Sequence, residues 1–341
     1  MKEKATAGIK LADVARYAGT SASTVSRVLN NRGYIAEKTR ERVYGAMKQL
    51  NYRPNELARS LTKRRTSCIG VIVPSVAHPF FCKVAACLEQ HAARSGYKIM
   101  LCNSQHQRDK ELDYLDMLRS NKVAGIVLCS RTADIEKELE TDFPVVAFER
   151  EAGGRLSSVS CDNYQGGELA TLRLLDGGCR YLLHISGSHG VPMPADKRRA
   201  AFEEVCRGRH IDFLVADTLE AQFNAMDYTD FIEQLLREHP EIDGVFASSD
   251  VIAAEVIQAC ARLKKQIPGE LQIVGFDDTD LASLTTPAIT TVRQPIDEMC
   301  RCAVDLIVKQ TEGGAAASRT TFAVSLVERG TTKAPGRADG A

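Results

Sequence analysis

Apolar residues in the first fifty positions recur three and four apart. Leu11, Val14, Ala15 and Ala18 fall on one helical face, Gly19 breaks the helix, and Ser21 can cap a second helix carrying Val25, Val28 and Leu29. A third helix is expected over about 37–50, with Val43, Met47 and Leu50 on one face, and it would close a three-helix core. In Asn51-Tyr52-Arg53-Pro54-Asn55 the proline biases Arg53 away from helical geometry, so a boundary falls there. The next stretch, 55–61, is amphipathic but only about two turns long. Such a helix is marginal alone in water and is expected to order only with a partner.

From Cys68 the period changes. Apolar runs at 69–73, 99–102, 126–129 and 145–148 alternate with helical patterns at 84–94 and 114–119. A second series has strand patterns near 182–185, 213–216, 244–247 and 273–276, with helical patterns near 168–175, 200–207, 229–237 and 253–262. This rhythm predicts βαβ units, and hence an α/β body of two doubly wound parallel-sheet lobes. Ligands of such sheets bind at the carboxyl ends of the strands, and two facing lobes make a cleft that can close on a small molecule. The expected division is a helix-turn-helix domain over 1–54, a hinge over 55–66, a ligand-binding body over 67–331 and a tail over 332–341.

Charge sharpens this picture. The chain of 341 residues is formally neutral, yet residues 1–66 hold fifteen Lys and Arg against five Asp and Glu, and the remainder carries the compensating excess of ten acids. A compact basic block of this kind is the electrostatic footprint of polyphosphate binding. The eleven cysteines are scattered and lie mostly in apolar runs, which reads as reduced core residues. Cys300-Arg301-Cys302 has neither zinc nor thioredoxin spacing. No apolar run approaches the length of a bilayer span and the first ten residues hold no apolar stretch, so the expected location is the cytoplasm, with no membrane association.

Candidate chemistry follows from these placements. Two short helices meeting at a glycine turn form a helix-turn-helix, whose second helix enters the major groove of double-stranded DNA. Ala22, Ser23 and Arg27 would then face base edges, Arg27 being able to grip guanine in a bidentate way, while Thr24 and Ser26 suit phosphates. The alternative for Arg27 is a solvated surface residue. In the body, His78-Pro79-Phe80-Phe81 follows the first strand and supplies aromatic surface. Glu149, Asp162, Asp250 and Asp277 close strands, and Arg198 precedes Phe202 by four. Carboxylates and a guanidinium meeting an aromatic face suit a polyhydroxylated ligand. The alternative is that Asp162, Asp250 and Asp277 are helix N-caps.

No dinucleotide, Walker, nucleophile-elbow or zincin motif is present, and Gly187-Ser188-His189-Gly190 reads as a loop. An enzyme is therefore not expected, and no cofactor is implied. A free-standing solute-binding protein fits the body alone but not the basic head.

The runs Leu11-Ala12-Asp13-Val14-Ala15, Gly19-Thr20-Ser21, 23–30, 51–55 and Ala58-Arg59-Ser60-Leu61 resemble, in order and spacing, the head and hinge of the lactose/galactose-repressor (LacI/GalR) family. The resemblance continues to about Thr331. It implies a DNA-binding set of Ser21, Ala22, Ser23, Thr24, Ser26, Arg27 and Asn30, with the hinge residues Asn55, Ala58, Arg59 and Leu61 pairing in the minor groove and Leu61 wedging between base pairs. It also implies a periplasmic-binding-protein-like body in which the chain crosses between lobes near 161, 292 and 322. The lobes are then about 67–160 with 293–321, and about 161–292 with 322–331. The resemblance matches Arg198 to an effector-contacting arginine and Asp277, Ser130 and Phe80 to pocket positions, and with the strand-end residues above the expected effector pocket comprises Phe80, Phe81, Ser130, Glu149, Asp162, Arg198, Ser249, Asp250 and Asp277.

Four positions depart from the family pattern: Ala201 for a usual glycine, Ser249 for asparagine, Glu149 for aspartate and His78 for asparagine. The expectation is a homodimeric regulator, a repressor, on a pseudo-palindromic operator, controlled by a sugar or sugar phosphate. The family's tetramers carry a leucine heptad tail, whereas 331–341 is a short polar stretch.

Overall fold

The computed structural model describes residues 9–29, 33–52, 66–132, 135–139, 143–150, 156–187, 191–314 and 319–334. The chain divides into two units, 1–66 and 67–341, each built around its own core.

In the first unit α1 (Leu11–Tyr17), α2 (Ala22–Leu29) and α3 (Glu37–Gln49) enclose Val14, Ala15, Val25, Val28, Val43 and Ala46. Gly19 sits at φ 59°, the left-handed conformation that lets α1 end sharply and the chain turn into α2. Ser21 caps α2, its Oγ accepting the Thr24 N–H at 3.1 Å.

The second unit contains two six-stranded sheets. In chain order the elements of the first series are β1 (Cys68–Val73), α4 (Pro79–Arg94), β2 (Lys98–Asn103), α5 (Arg108–Ser120), β3 (Gly125–Leu128), β4 (Val145–Phe148) and β5 (Ser157–Cys161). The second series is α6 (Asn163–Asp176), β6 (Tyr181–Ser186), α7 (Asp196–Arg209), β7 (Asp212–Asp217), α8 (Glu220–Ala225), α9 (Thr229–Glu238), β8 (Gly244–Ala247), α10 (Asp250–Leu263), β9 (Gln272–Asp277), α11 (Asp280–Leu284) and β10 (Thr290–Arg293). The chain then returns through α12 (Ile296–Thr311) and β11 (Arg319–Phe322), and ends in β12 (Ser325–Val327).

The first sheet runs β11-β5-β4-β3-β1-β2 and is wholly parallel. The second runs β12-β10-β9-β8-β6-β7, with β12 alone antiparallel. The chain therefore leaves the first sheet after Cys161, returns to it between Arg293 and Ile296, and leaves again between Phe322 and Ser325. The central strands β1, β3, β4, β8 and β9 are buried nearly throughout, as strands covered on both faces must be. Both series of strands deliver their carboxyl ends to the space between the lobes, which places the site.

Candidate functional site

The first unit carries its polar chemistry on the outside. Ser21, Ala22, Ser23 and Arg27 are exposed along α2, and Thr24 and Ser26 are half-buried. The Ser21 hydroxyl also meets Ser23 Oγ at 2.8 Å and Thr24 Oγ1 at 2.9 Å, so a tight hydroxyl cluster opens the helix. None of these side chains is needed by the core. Tyr17, on the last turn of α1, is 60% exposed, an aromatic ring that the apolar periodicity left unassigned. Asn30, Asn55, Ala58, Arg59 and Leu61 lie outside the described residues.

In the second unit a cavity of about 870 Å³, counting its open mouth, lies between the two lobes. It gathers six of the nine pocket residues read from the sequence: Phe80, Phe81, Glu149, Arg198, Ser249 and Asp277. Arg198 is its electrostatic centre. Its Nε donates to Asn163 Oδ1 at 2.7 Å, its Nη1 donates to the Ser248 carbonyl at 2.7 Å, and its guanidinium lies 3.5 Å from the Phe276 ring centre. Asn163 in turn donates to Glu149 Oε2 at 3.1 Å. The hydrogen-bond chain Glu149–Asn163–Arg198–Ser248 thus runs from the end of β4 in the first lobe to the end of β8 in the second.

Asp277, at the end of β9, accepts from Gln294 at 2.7 Å. Burial pushes both the Asp277 and the Glu149 carboxyl pKa upward, against the pull of Arg198. Both have backbone in the left-handed region, φ 48° at Glu149 and φ 111° at Asp277, so each strand end is bent to turn its carboxyl group into the cleft.

The other wall is aromatic. His78 stacks on Phe223 from α8 at 5.2 Å, with an interplanar angle of 10°. Phe81 meets His78 edge-on, Phe80 meets Phe81, and the Arg131 guanidinium lies 5.5 Å from the Phe223 ring centre. His78 and Arg131 belong to the first lobe and Phe223 to the second, so this stack closes the cavity across the lobes. Burial, reinforced by Arg131 and His106, lowers the His78 pKa to about 4, so that the imidazole is neutral near pH 7. Lys83 makes a further link between the lobes, donating to the Asp278 carbonyl at 2.9 Å.

Residues 10–55 match the family described as bacterial regulatory proteins, lacI family, and residues 171–332 match the periplasmic binding protein-like domain. The chain is 38% identical over 322 residues to the ribose operon repressor of Halalkalibacterium halodurans, covering 94% of this chain and 96% of that one. The chain belongs to the lacI family. It is also 36% identical to the sucrose operon repressor of Streptococcus mutans, over 89% of this chain and 93% of that one. Among solved structures, a periplasmic binding protein/LacI transcriptional regulator from Alkaliphilus metalliredigens, complexed with D-xylulofuranose, superposes with a TM-score of 0.70 at 31% identity. That match covers 79% of this chain and all of the other. As a lacI-family member the chain is a DNA-binding transcriptional regulator and not an enzyme. Among the described residues no helix is long and apolar enough to cross a membrane.

Three of the nine expected pocket residues are placed elsewhere. Asp162 does not line the cleft cavity; its carboxylate caps α6, accepting the Gln165 N–H at 3.0 Å. Asp250 is 1% exposed and absent from the cavity wall, because its two oxygens accept from Thr279 N, Thr279 Oγ1 and Thr291 Oγ1 at 2.6–2.9 Å. It ties β10 and the loop after β9 to α10. Ser130 is fully buried beside the cavity; its Oγ accepts from Thr132 N and its carbonyl from Arg150. For the two aspartates the N-cap alternative described Asp162 correctly, and Asp250 serves the fold in another way.

The cavity adds residues that sequence reasoning passed over: Arg131, Met193, Asp196, Phe223, Tyr228 and Gln294. Most stand in loops or short helices with no apolar period. Gln294 alone stands beside a local marker, the proline that follows it.

Proposed function

We propose that this regulator is a repressor of a carbohydrate-utilisation operon whose effector is a monosaccharide bound between the lobes. The observation carrying this reading is that Glu149 and Asp277 at strand ends and Arg198 in the first turn of α7 line one cavity with Phe80, Phe81 and Phe223. Carboxyl groups with raised pKa values can both accept and donate hydrogen bonds to hydroxyls, and the rings cover the apolar face of a sugar. The His78–Phe223 stack roofs the cavity, which favours one sugar ring over two. The named relatives are repressors of a ribose and a sucrose operon, and the solved relative holds D-xylulofuranose, so a pentose is the first candidate and not the sole one.

In this reading the chain acts in the cytoplasm as a homodimer on a pseudo-palindromic operator, with 1–54 as DNA-binding domain, 55–66 as hinge and 67–331 as effector-binding body. Ala22, Ser23 and Arg27 read base edges in the major groove, Thr24 and Ser26 hold phosphates, and Ser21 and Asn30 complete the contact set. Asn55, Ala58, Arg59 and Leu61 contact the minor groove, with Leu61 as the wedge. Calorimetry of the full-length chain against D-ribose, D-xylulose, sucrose and a sugar phosphate tests it, paired with operator band shifts. Saturable binding of a monosaccharide, lost in Asp277→Asn, is the expected result. Binding of none of the monosaccharides, or binding indifferent to Asp277, overturns the assignment.

A further inference from the structure

A second cavity, of about 490 Å³, lies away from the aromatic cleft. Its floor is the polar face of the outer end of the first sheet. In the parallel β5–β11 pair, Ser158 stands opposite Arg319 and Ser160 opposite Thr321. Because side chains alternate along a strand, these four share one face, while Val159 and Cys161 point into the apolar core on which α12 packs. A sheet face that should be covered by apolar side chains is here lined with hydroxyls and a guanidinium. The walls add Arg150, which is buried, and Lys197, which is exposed, together with the start of α6. Arg150 Nη1 donates to the Ser130 carbonyl at 3.0 Å, which fixes it in place.

The charge of this cavity runs against its surroundings. Residues 67–341 carry ten more acids than bases, yet among the described residues the lining has three cations and one carboxylate, Asp162, whose Oδ1 is engaged by the Gln165 N–H. Three cations, three hydroxyl donors and a helix amino end suit one ligand chemistry, a tetrahedral dianion.

We propose that this cavity is a second ligand site that takes a phosphate group, either inorganic phosphate or the phosphate of a small monoester. Arg150, Ser158, Ser160, Arg319 and Thr321 come from the first lobe and Lys197 from α7 of the second, so a bound phosphate bridges the lobes. Asn163 lines this cavity and also holds Glu149 and Arg198 of the effector cleft. Occupancy is transmitted to the cleft through Asn163, which borders this cavity while its amide is committed to Glu149, the Cys161 carbonyl and Arg198. The outcome is a regulator that reads two signals, with the second one anionic.

The test uses full-length protein and isothermal calorimetry at constant ionic strength, with inorganic phosphate and glycerol 3-phosphate as probes. One saturable site is expected, weakened at least tenfold in Lys197→Gln/Arg319→Gln. Both substitutions sit at the solvent-exposed rim, so the thermal midpoint in chloride should match that of the parent chain. Tighter binding of glycerol 3-phosphate would identify a phosphorylated metabolite, and binding of inorganic phosphate alone would identify the free ion. Either supports the site. Absence of saturable binding overturns it, and equal affinity in the double variant overturns it by placing the anion on the basic head or in the cleft. For the coupling, saturating phosphate should shift the operator-binding midpoint at least threefold in the parent and not in the double variant. An equal shift in both would be competition for the head and would overturn the coupling.

Discussion

The two units handle polar chemistry in opposite ways. The head builds its core from Val14, Ala15, Val25, Val28, Val43 and Ala46 and leaves the α2 side chains proposed to contact DNA outside it. The body buries the groups proposed to face its ligand: Arg198 is 7% exposed and Asp277 4%. A side chain on the surface is free to be chosen for DNA alone, whereas a buried guanidinium must also satisfy the fold. Specificity can therefore drift in the head without loss of stability. In the body, ligand choice and stability are tied together.

The largest expected effect comes from cutting that tie. Arg198→Ala strands Asn163 Oδ1 and the Ser248 carbonyl, empties the space over Phe276, and leaves Glu149 and Asp277 without their shared cation. Removing one partner of a buried charge cluster typically costs about 3–5 kcal/mol, which urea unfolding of the body would register along with lost effector binding. Asp277→Asn keeps the shape at Gln294 and should lose the effector response at smaller cost. Were Arg198→Ala as stable as the parent, the proposed division between the units would fail.

Arg27→Ala is the matching change in the head. It should cost about 1–3 kcal/mol in operator affinity per base contact and leave unfolding nearly untouched. Equal losses on operator and random DNA would make Arg27 a phosphate contact and not a base reader.

The strands most legible in the sequence are those whose burial is complete. The runs at 69–73, 126–129, 145–148, 244–247 and 273–276 each coincide with a central strand, because a strand covered on both faces must be apolar at every position. The outer strands β5, β10, β11 and β12 escaped, since Ser157-Ser158-Val159-Ser160-Cys161 and Arg319-Thr320-Thr321-Phe322 carry no apolar run. Site residues divided on similar grounds. Groups at strand ends were visible because a strand end is a place that periodicity can locate. Phe223 and Arg131 were not, since α8 is six residues long and the loop after β3 has no period at all. Asp162 and Asp250 illustrate the opposite error: a carboxylate after a strand is equally suited to ligand, cap or crosslink, and only coordinates choose.

Acid sensitivity should also separate the units, since the chain has seven histidines and none falls in residues 1–66. Burial lowers the pKa of His78 and His106 to about 4 and that of His184 to about 3. The unfolded chain binds these protons first, so stability present above about pH 6.5 is lost as pH falls toward 4. His78 alone accounts for about 2 kcal/mol of that loss at pH 5. Asp250 acts in the reverse sense, because burial raises its pKa to about 6 and its contribution is lost as pH rises through that value. Thermal melts of the parent and of His78→Asn between pH 7 and pH 5 should show a shallower decline in the variant. Parallel curves would mean that His78 is protonated in the folded body or solvated on the scale of the melt.

The smallest effect isolates the cap from the site. Ser21 and Asp162 do the same local work, each accepting a backbone N–H three residues on at about 3 Å, and replacing either by alanine should cost about 1 kcal/mol of stability. Their functional consequences should differ. Ser21 is exposed at the start of the reading helix, so Ser21→Ala should weaken operator binding as well as the fold. Asp162 is turned away from the effector cleft, so Asp162→Ala should leave effector affinity within about twofold of the parent, a change smaller than 1.4 kcal/mol by a wide margin. Because the same carboxylate lines the basic cavity, its removal should tighten phosphate binding there. Loss of effector binding in Asp162→Ala, with the fold intact by circular dichroism, would return Asp162 to the effector pocket and undo its assignment as a cap.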